Sequence, residues 1–334
     1  MTVRIALDAM GGDYAPDEIL RGAKEAVRDP IIELHLVGPE TILLPKCREL
    51  NLSAKVQLHH ATEIVAMDEL PSIAMRKRES SIAVGIRLLK ENRVDAFVSA
   101  GNTGAVMALA LLILGRLNDM KRPPLVVSLP GKEGTVLLVD AGANVDCTPE
   151  QLWQYAHLTA LFAEKVLNKP HPRVALLANG EEASKGNALI KTTHALLLQS
   201  ELNFIGNIEG KDLLGSLAEV VVADGFSGSI ALKSMEGAAT TMLTFLRDSI
   251  AHAGWRKLGG LFLAPIFRQL KRRFDYNQVG AAPLLGVDGL VLIAHGRSKA
   301  EAIYNAVRQA QFGINNQLIE ALRQPLPSME RSTR

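Results

Sequence analysis

The feature that most constrains this chain is a recurring pattern. Short apolar runs of four to seven residues stop abruptly at small polar loops, and longer helical patterns separate them. The runs fall at residues 4–7, 33–37, 96–99, 125–129, 135–139, 174–178, 220–223 and 291–294. They are continuous rather than alternating, which fits strands buried on both faces of a parallel sheet. Strands alternating with helices of about 10–15 residues indicate βαβ units. The runs at 125–129 and 135–139 lie too close together for a helical crossover. Around Pro130-Gly131-Lys132-Glu133-Gly134 they read as a β-hairpin, so the sheet is expected to be mainly parallel but mixed. The expected fold class is α/β.

With 334 residues, 48% of them hydrophobic, the chain can bury a large core. No linker-like stretch divides it. It is expected to form a single α/β domain over 1–325, with an insert at 250–278 and a frayed tail at 326–334. A net charge of +2 makes the whole molecule a poor attractor for nucleic acid. Cys47 and Cys147 show no metal-ligand spacing and read as ordinary reduced thiols. The start, MTVRIALDAMGGD, has no long apolar signal core. The longest near-continuous apolar run, 105–114, is far short of the ~20 residues a membrane-spanning helix needs. A soluble, cytoplasmic protein is expected.

Five of the runs end in similar chemistry: Asp8-Ala9-Met10-Gly11-Gly12-Asp13, Gly101-Asn102-Thr103-Gly104, Asp140-Ala141-Gly142-Ala143-Asn144-Val145-Asp146, Asn179-Gly180-Glu181-Glu182, and Asp224-Gly225-Phe226-Ser227-Gly228. In an open parallel sheet such ends share one edge, where ligands bind. Glycine lets backbone approach a ligand closely, and a following helix N-terminus presents unpaired N–H groups that suit phosphate. Each loop alone is also an ordinary turn or cap. The helix after Gly104 is apolar on all sides and is expected to be buried against the sheet. Lys185 follows Glu181-Glu182 at helix-start spacing. A lysine in a first helical turn opposes the helix dipole, which hints at an anionic ligand. Lys233 and His295 are further candidates, His295 as a base or phosphate ligand or as a helix-cap histidine. No GxxxxGK[ST], GxGxxG after the first strand, GxSxG or HExxH is present. Asp8, Asp13, Asp140, Asp146 and Asp224 are scattered and serve as well for turns and caps as for metal.

Residues 254–274, GWRKLGGLFLAPIFRQLKRRF, are basic and amphipathic, and Pro265 divides them into two expected short helices. Three readings stay open. The segment packs as a helical hairpin with a solvated basic face, dips into an anionic bilayer surface, or docks an acidic partner. Trp255, Leu258, Leu261 and Phe262 would supply the apolar contact, and Arg268, Lys271, Arg272 and Arg273 the charge.

Taken together with Lys185-Gly186, Leu232-Lys233, Glu236-Gly237, Leu284-Leu285-Gly286 and His295-Gly296, the five loops closely resemble the bacterial phosphate acyltransferase family of phospholipid synthesis. The resemblance runs from Val3 to the helical stretch before Pro325. Local departures occur at Ala178-Asn179-Gly180 and 130–134 and leave the lysine untouched. It implies a three-layer α/β/α fold with a mainly parallel mixed sheet, similar to the isocitrate/isopropylmalate dehydrogenase and phosphotransacetylase group, usually as a homodimer. It implies transfer of an acyl group from acyl-acyl carrier protein to inorganic phosphate, with the acyl phosphate passed to a membrane glycerol-3-phosphate acyltransferase. No metal or nucleotide cofactor is implied, and peripheral membrane association is. On this reading Lys185, Asn144 and His295 are the catalytic candidates. Lys185 neutralises phosphate or the leaving thiolate, Asn144 and Asn102 stabilise the oxyanion, and His295 manages a proton. Asp8, Gly11, Gly12, Asp13, Gly101, Asn102, Thr103, Gly104, Asp140, Glu181, Glu182, Asp224, Gly225, Ser227, Gly228 and Lys233 line the substrate cleft. No acyl-enzyme is expected, because no Ser or Cys has an evident activating partner. A metal-dependent hydroxy-acid dehydrogenase of the same fold group and a non-catalytic scaffold are the alternatives.

Overall fold

The computed structural model describes residues 2–52, 54–117, 120–251 and 280–327. The chain runs β1 (Val3–Asp8), α1 (Asp17–Ala26), β2 (Ile32–Gly38), α2 (Glu40–Glu49), β3 (Val56–His60), α3 (Pro71–Ala74), α4 (Ser81–Lys90), β4 (Ala96–Ser99) and α5 (Thr103–Ile113). It continues through β5 (Val127–Gly131), β6 (Gly134–Val139), α6 (Pro149–Leu167), β7 (Val174–Leu177), α7 (Ala188–Leu198), β8 (Phe204–Ile208), β9 (Val220–Val222) and α8 (Gly225–Ala251). It closes with β10 (Ala281–Pro283), β11 (Leu290–Ala294), α9 (Ala300–Asn315) and α10 (Leu318–Leu322).

The strands form two sheets rather than one. The first has the order β10-β11-β4-β1-β2-β3 and the second β5-β6-β9-β7-β8. Within them β11, β4, β1, β2 and β3 are mutually parallel, as are β6, β9, β7 and β8. The expected hairpin is β5–β6, in register Val127 to Leu138 through Gly131 to Gly134. A second antiparallel pair, β10–β11, closes the other sheet. The expectation of one shared edge is therefore corrected. Open twisted sheets rarely exceed about ten strands before splitting, and the strand ends are divided between two sheets.

One apolar core reaches both sheets, with Ile5, Leu7 and Leu36 from the first and Leu137, Val139 and Val222 from the second in a single cluster. Among the described residues, Tyr155, Phe97 and Phe162 are the largest fully buried side chains. Full burial of one such side chain contributes roughly 1.5–3 kcal/mol. Phe97 lies on Gly85 of α4, where a Cβ would overlap its ring. The elements start where local chemistry says they should. Thr148 and Gln151 form a capping box ahead of α6 with Pro149 in its first turn. Ser80 caps α4 and Asn187 caps α7.

Helix α5 differs from expectation. It buries Ala105, Val106, Leu109 and Ala110, but Leu112 is 64% exposed. The sheet can cover only one side of a helix, so an apolar outer face is left open. At the β2–β3 edge, His35 and His59 stack with ring centroids 5.0 Å apart and bond Nδ1 to Nε2 at 2.8 Å. No described helix is long and apolar enough to cross a membrane. Trp255, Leu258, Leu261, Phe262, Arg268, Lys271, Arg272 and Arg273 lie outside the described residues.

Candidate functional site

The strand-end loops divide between the two sheets, as the topology dictates. Along the first sheet, β1 and β4 are hydrogen-bonded neighbours, so their C-terminal loops touch. Asp8 is fully buried. Its Oδ2 accepts from Ser99 Oγ at 2.7 Å and its Oδ1 from the Met10 N–H at 3.1 Å. Burial raises its proton affinity above the ordinary carboxylate value, against the pull of these donors. Ser99 Oγ in turn accepts from Gly101 N–H at 3.0 Å. A Cβ on Gly11 would stand 2.5 Å from the Asp8 carboxylate and 2.6 Å from Gly101 N, so only glycine lets the loops meet. The Asp13 N–H donates to the Gly296 carbonyl at 2.7 Å, which ties the β11 end to the same place. Asp13 and His295 are exposed, and His295 Nδ1 accepts from the Arg297 N–H at 3.1 Å.

Asn102 is placed differently from an oxyanion donor. Its Oδ1 caps α5 through the Ala105 N–H at 3.0 Å. Its Nδ2 donates among the carbonyls of Ala66, Met67 and Glu69 at 3.2, 3.0 and 2.8 Å. The side chain clamps the 66–69 segment over the loop. Gly104 admits Pro71 of α3, whose ring a Cβ would meet at 2.8 Å. Thr103 is exposed at the start of α5.

Along the second sheet, β6, β9 and β7 are consecutive and parallel, so three loops share one edge. Asp140, fully buried, is the hub. Its Oδ1 accepts from the N–H groups of Leu125, Gly142 and Ala143 at 3.1, 3.2 and 3.0 Å. Its Oδ2 accepts from Asn144 N at 2.7 Å and Nδ2 at 2.9 Å. The second Nδ2 bond of Asn144 goes to the Pro123 carbonyl at 3.0 Å. Both amide hydrogens are thus committed, and in this conformation Asn144 holds the loop rather than facing a substrate. Asp224 caps α8, accepting from Ser227 N at 2.9 Å and Ser227 Oγ at 2.8 Å. Gly225 donates to the Asn144 carbonyl at 2.9 Å. A Cβ on Gly228 would overlap the Asp140 carbonyl oxygen, so the helix and the loop are in backbone contact. A 470 Å3 groove opens here, with Val145, Phe226 and Ile230 as apolar walls and Lys233 at its margin.

After β7, α7 begins at Ala188 with Asn187 as its cap. Glu181, Glu182 and Lys185 therefore lie in the preceding turn and not in a first helical turn, which corrects the dipole argument. Lys185 is exposed, and its stem lies over Gly180, where a Cβ would come within 2.7 Å of its Cγ. Gly186 N–H donates to Asn179 Oδ1 at 2.9 Å. Glu181, Glu209 and Asp212 bring three carboxylates together, with the Lys211 ammonium bonded to Glu181 and Glu209. Cys147, beside this edge, has its thiol pushed up to about 11 by burial. It is a poor nucleophile at neutral pH.

Lys121 and Arg122, exposed just ahead of β5, were not singled out in the sequence, because the loop pattern follows strands and these residues precede one. β5 runs antiparallel to β6, so the entry to β5 lies beside the exit of β6.

The chain's residues 3–321 match the family model described as "Fatty acid synthesis protein". It is 45% identical over 328 residues to a phosphate acyltransferase of Heliobacterium modesticaldum, covering 97% of this chain and 98% of that one. It is 46% identical over 330 residues to a phosphate acyltransferase of Desulfitobacterium hafniense, covering 97% and 98%. Among solved structures, a phosphotransacetylase from Streptococcus pyogenes superposes with a TM-score of 0.65 at 18% identity, covering 96% of this chain and 94% of that one. A putative 4-hydroxythreonine-4-phosphate dehydrogenase from Salmonella typhimurium gives 0.54 at 11%, covering 93% and 99%. These two likenesses place the fold in the group of phosphotransacetylases and dehydrogenase-like proteins. With the match running almost end to end, the chain belongs to the phosphate acyltransferase family of fatty acid synthesis proteins.

Proposed function

We propose that the protein moves a fatty acyl group from the thioester of acyl-acyl carrier protein to inorganic phosphate, releasing acyl phosphate and free carrier-protein thiol. A phosphate oxygen attacks the thioester carbonyl carbon. The tetrahedral intermediate collapses, the C–S bond breaks, and the departing thiolate takes up a proton. The observation that carries this reading is the second-sheet edge. Two parallel strands, β6 and β9, deliver loops that line an apolar-walled groove with exposed Lys233 at its margin, and exposed Lys185 follows the neighbouring parallel strand β7. Holding phosphate against the thioester supplies much of the rate, since positioning alone is worth roughly 7–11 kcal/mol.

On this proposal, individual residues take these roles. Lys185 neutralises phosphate or the leaving thiolate from an exposed side chain. His295, exposed at the first-sheet edge, is the proton carrier. Asp8, Asp140, Asp224, Asn102 and Asn144 act as positioning residues, because their polar atoms are already bonded to the loops. Exposed apolar residues along α8, Phe226 at 57%, Met242 at 65% and Phe245 at 67%, support a surface that self-associates as a homodimer. The 254–274 segment supports contact with an anionic membrane or with the acidic carrier protein, from which acyl phosphate passes to a membrane glycerol-3-phosphate acyltransferase.

The test incubates the protein with acyl-acyl carrier protein and phosphate, with and without liposomes, and traps acyl phosphate as the hydroxamate. Phosphate-dependent hydroxamate is expected, with a loss of at least 100-fold in kcat/KM for Lys185→Ala. Absence of hydroxamate from the wild type overturns the reaction. Near-normal activity of Lys185→Ala overturns the role of that lysine.

A further inference from the structure

The entry to β5 carries a cation that the strand-end pattern does not include. Because β5 is antiparallel to β6, with Val127 opposite Leu138, residues 121–126 lie beside 139–144 on the edge that also bears the β9 and β7 loops. Three buried side chains reach across to hold this short stretch by its backbone. Tyr155 Oη donates to the Arg122 carbonyl at 3.0 Å, and Asn144 Nδ2 donates to the Pro123 carbonyl at 3.0 Å. Asp140 Oδ1 accepts from the Leu125 N–H at 3.1 Å. Tyr155 is fully buried and Asn144 is 6% exposed. Surface connections are ordinarily held loosely, so three buried polar anchors on four consecutive residues fix a position rather than merely close a turn.

What they fix is a pair of exposed cations. Lys121 and Arg122 both reach solvent, followed by buried Pro123 and Pro124, whose rings restrict the backbone further. Among the described residues neither cation forms an ion pair. The charge of Arg122 is felt at the Tyr155 phenol, where it works against the burial that raises that group. A guanidinium suits phosphate better than an ammonium does, because its planar fork donates two parallel N–H bonds to two oxygens of one group. The loops nearby hold buried carboxylates, so an exposed cation at their rim is what an incoming anion would meet.

The geometry points to Arg122, assisted by Lys121, as a phosphate-binding residue of the site, held in place by Tyr155 and Asn144. This deepens the acyl-transfer reading and rests on it for the identity of the substrates. The ligand chemistry is a phosphate group, which is either the inorganic phosphate acceptor or the phosphodiester in the thioester-bearing arm of the acyl donor.

The test titrates inorganic phosphate calorimetrically into the full-length protein, without acyl donor, for wild type, Arg122→Ala, Arg122→Lys and Lys121→Ala. Steady-state KM values for phosphate and for acyl donor follow on the same proteins. Loss of a charge-assisted bidentate contact corresponds to roughly 10–100-fold weaker binding. Arg122→Ala is expected to weaken phosphate binding and raise its KM by that factor, with Arg122→Lys recovering part and Lys121→Ala showing a smaller effect. A rise confined to the KM of the acyl donor assigns the contact to the donor's phosphodiester. Thermal midpoints within 1–2 °C of wild type, the range of a mutation worth under about 0.5 kcal/mol, show that the exposed substitutions leave the fold intact. Phosphate affinity and both KM values within twofold of wild type in Arg122→Ala overturn the assignment. A wild type that binds phosphate through Arg122 yet makes no acyl phosphate refutes the proposed reaction while keeping this site.

Discussion

Asp140→Asn removes one oxygen from the hub of the second-sheet edge and keeps the volume. The carboxylate accepts five bonds, three on Oδ1 and two on Oδ2. The less damaging orientation of the new amide keeps its oxygen on the three N–H groups of Leu125, Gly142 and Ala143. Its NH2 then faces the N–H and Nδ2 of Asn144, and two buried donors lose their acceptor. Rotating the Asn144 amide restores one contact but turns its oxygen onto the Pro123 carbonyl, which now receives Nδ2 at 3.0 Å. Each unsatisfied buried donor costs about 1–3 kcal/mol, which gives about 2–6 kcal/mol. The neutral amide is easier to bury than the carboxylate, whose proton affinity burial already raises, so the lower half, about 2–4 kcal/mol, is the expected range. Equilibrium unfolding in urea, followed by tryptophan fluorescence, reads this as a lower midpoint at unchanged slope. Asp140→Ala, which loses all five acceptors, is expected to fall further. A loss below about 0.5 kcal/mol for Asp140→Asn would refute the picture of one carboxylate organising 123–144.

Two other predictions rest on different features. Gly228→Ala forces a methyl onto the Asp140 carbonyl oxygen and is expected to lower stability by about 1–3 kcal/mol. Gly237→Ala, on the same helix with nothing within 4 Å, is expected to raise it by up to about 1 kcal/mol; thermal midpoints that move in the same direction would refute the contact argument. The His35–His59 pair predicts an acid-sensitive step. Burial, then the charges of His35 and Arg93, push His59 down to about 4 from an ordinary 6.5. Its neutral form is the one the fold accommodates, so its contribution is complete above pH 6.5 and is lost as pH falls toward 4. Between pH 7 and 5 the urea midpoint of the wild type should fall more than that of His59→Gln, and parallel pH curves would sink this reading.

The interior strands were legible in the sequence because parallel strands covered on both faces are written as unbroken apolar runs. β3, β8 and β10 were not recognised, and all three lie at or beside a margin. Val56–His60 carries Gln57, His59 and His60 on the edge of the first sheet, Phe204–Ile208 includes Asn207 on the edge of the second, and Ala281–Pro283 is three residues ending in proline. An edge strand buries less and tolerates polar residues and proline, so its pattern fades. At the site, the loop chemistry was visible but the direction of its side chains was not. Asp140 and Asn144 read equally well as facing a ligand or facing the chain, because only the backbone of 123–144 determines which donors surround them. The start of α7 was placed too early because Glu181-Glu182 resembles a helix start, whereas Asn187 forms the cap and the helix begins at Ala188.

The buried carboxylates of Asp8, Asp140 and Asp224 give the protein a property that reaches beyond their bonds. Asp8 and Asp140 each occupy the place where a loop's N–H groups converge, and Asp224 takes up the Ser227 N–H in the first turn of α8; a free anion would otherwise be drawn to such places. The loops are thereby folded around anions that belong to the chain itself, and their shape does not wait for a ligand to arrive. The edge is preorganised, so little backbone ordering is left to occur on binding. On the proposed reading, recognition of an external anion then falls to exposed cations at the rim of these loops. Such a division separates the rigidity of the site from its selectivity, and substitutions can retune one without unfolding the other.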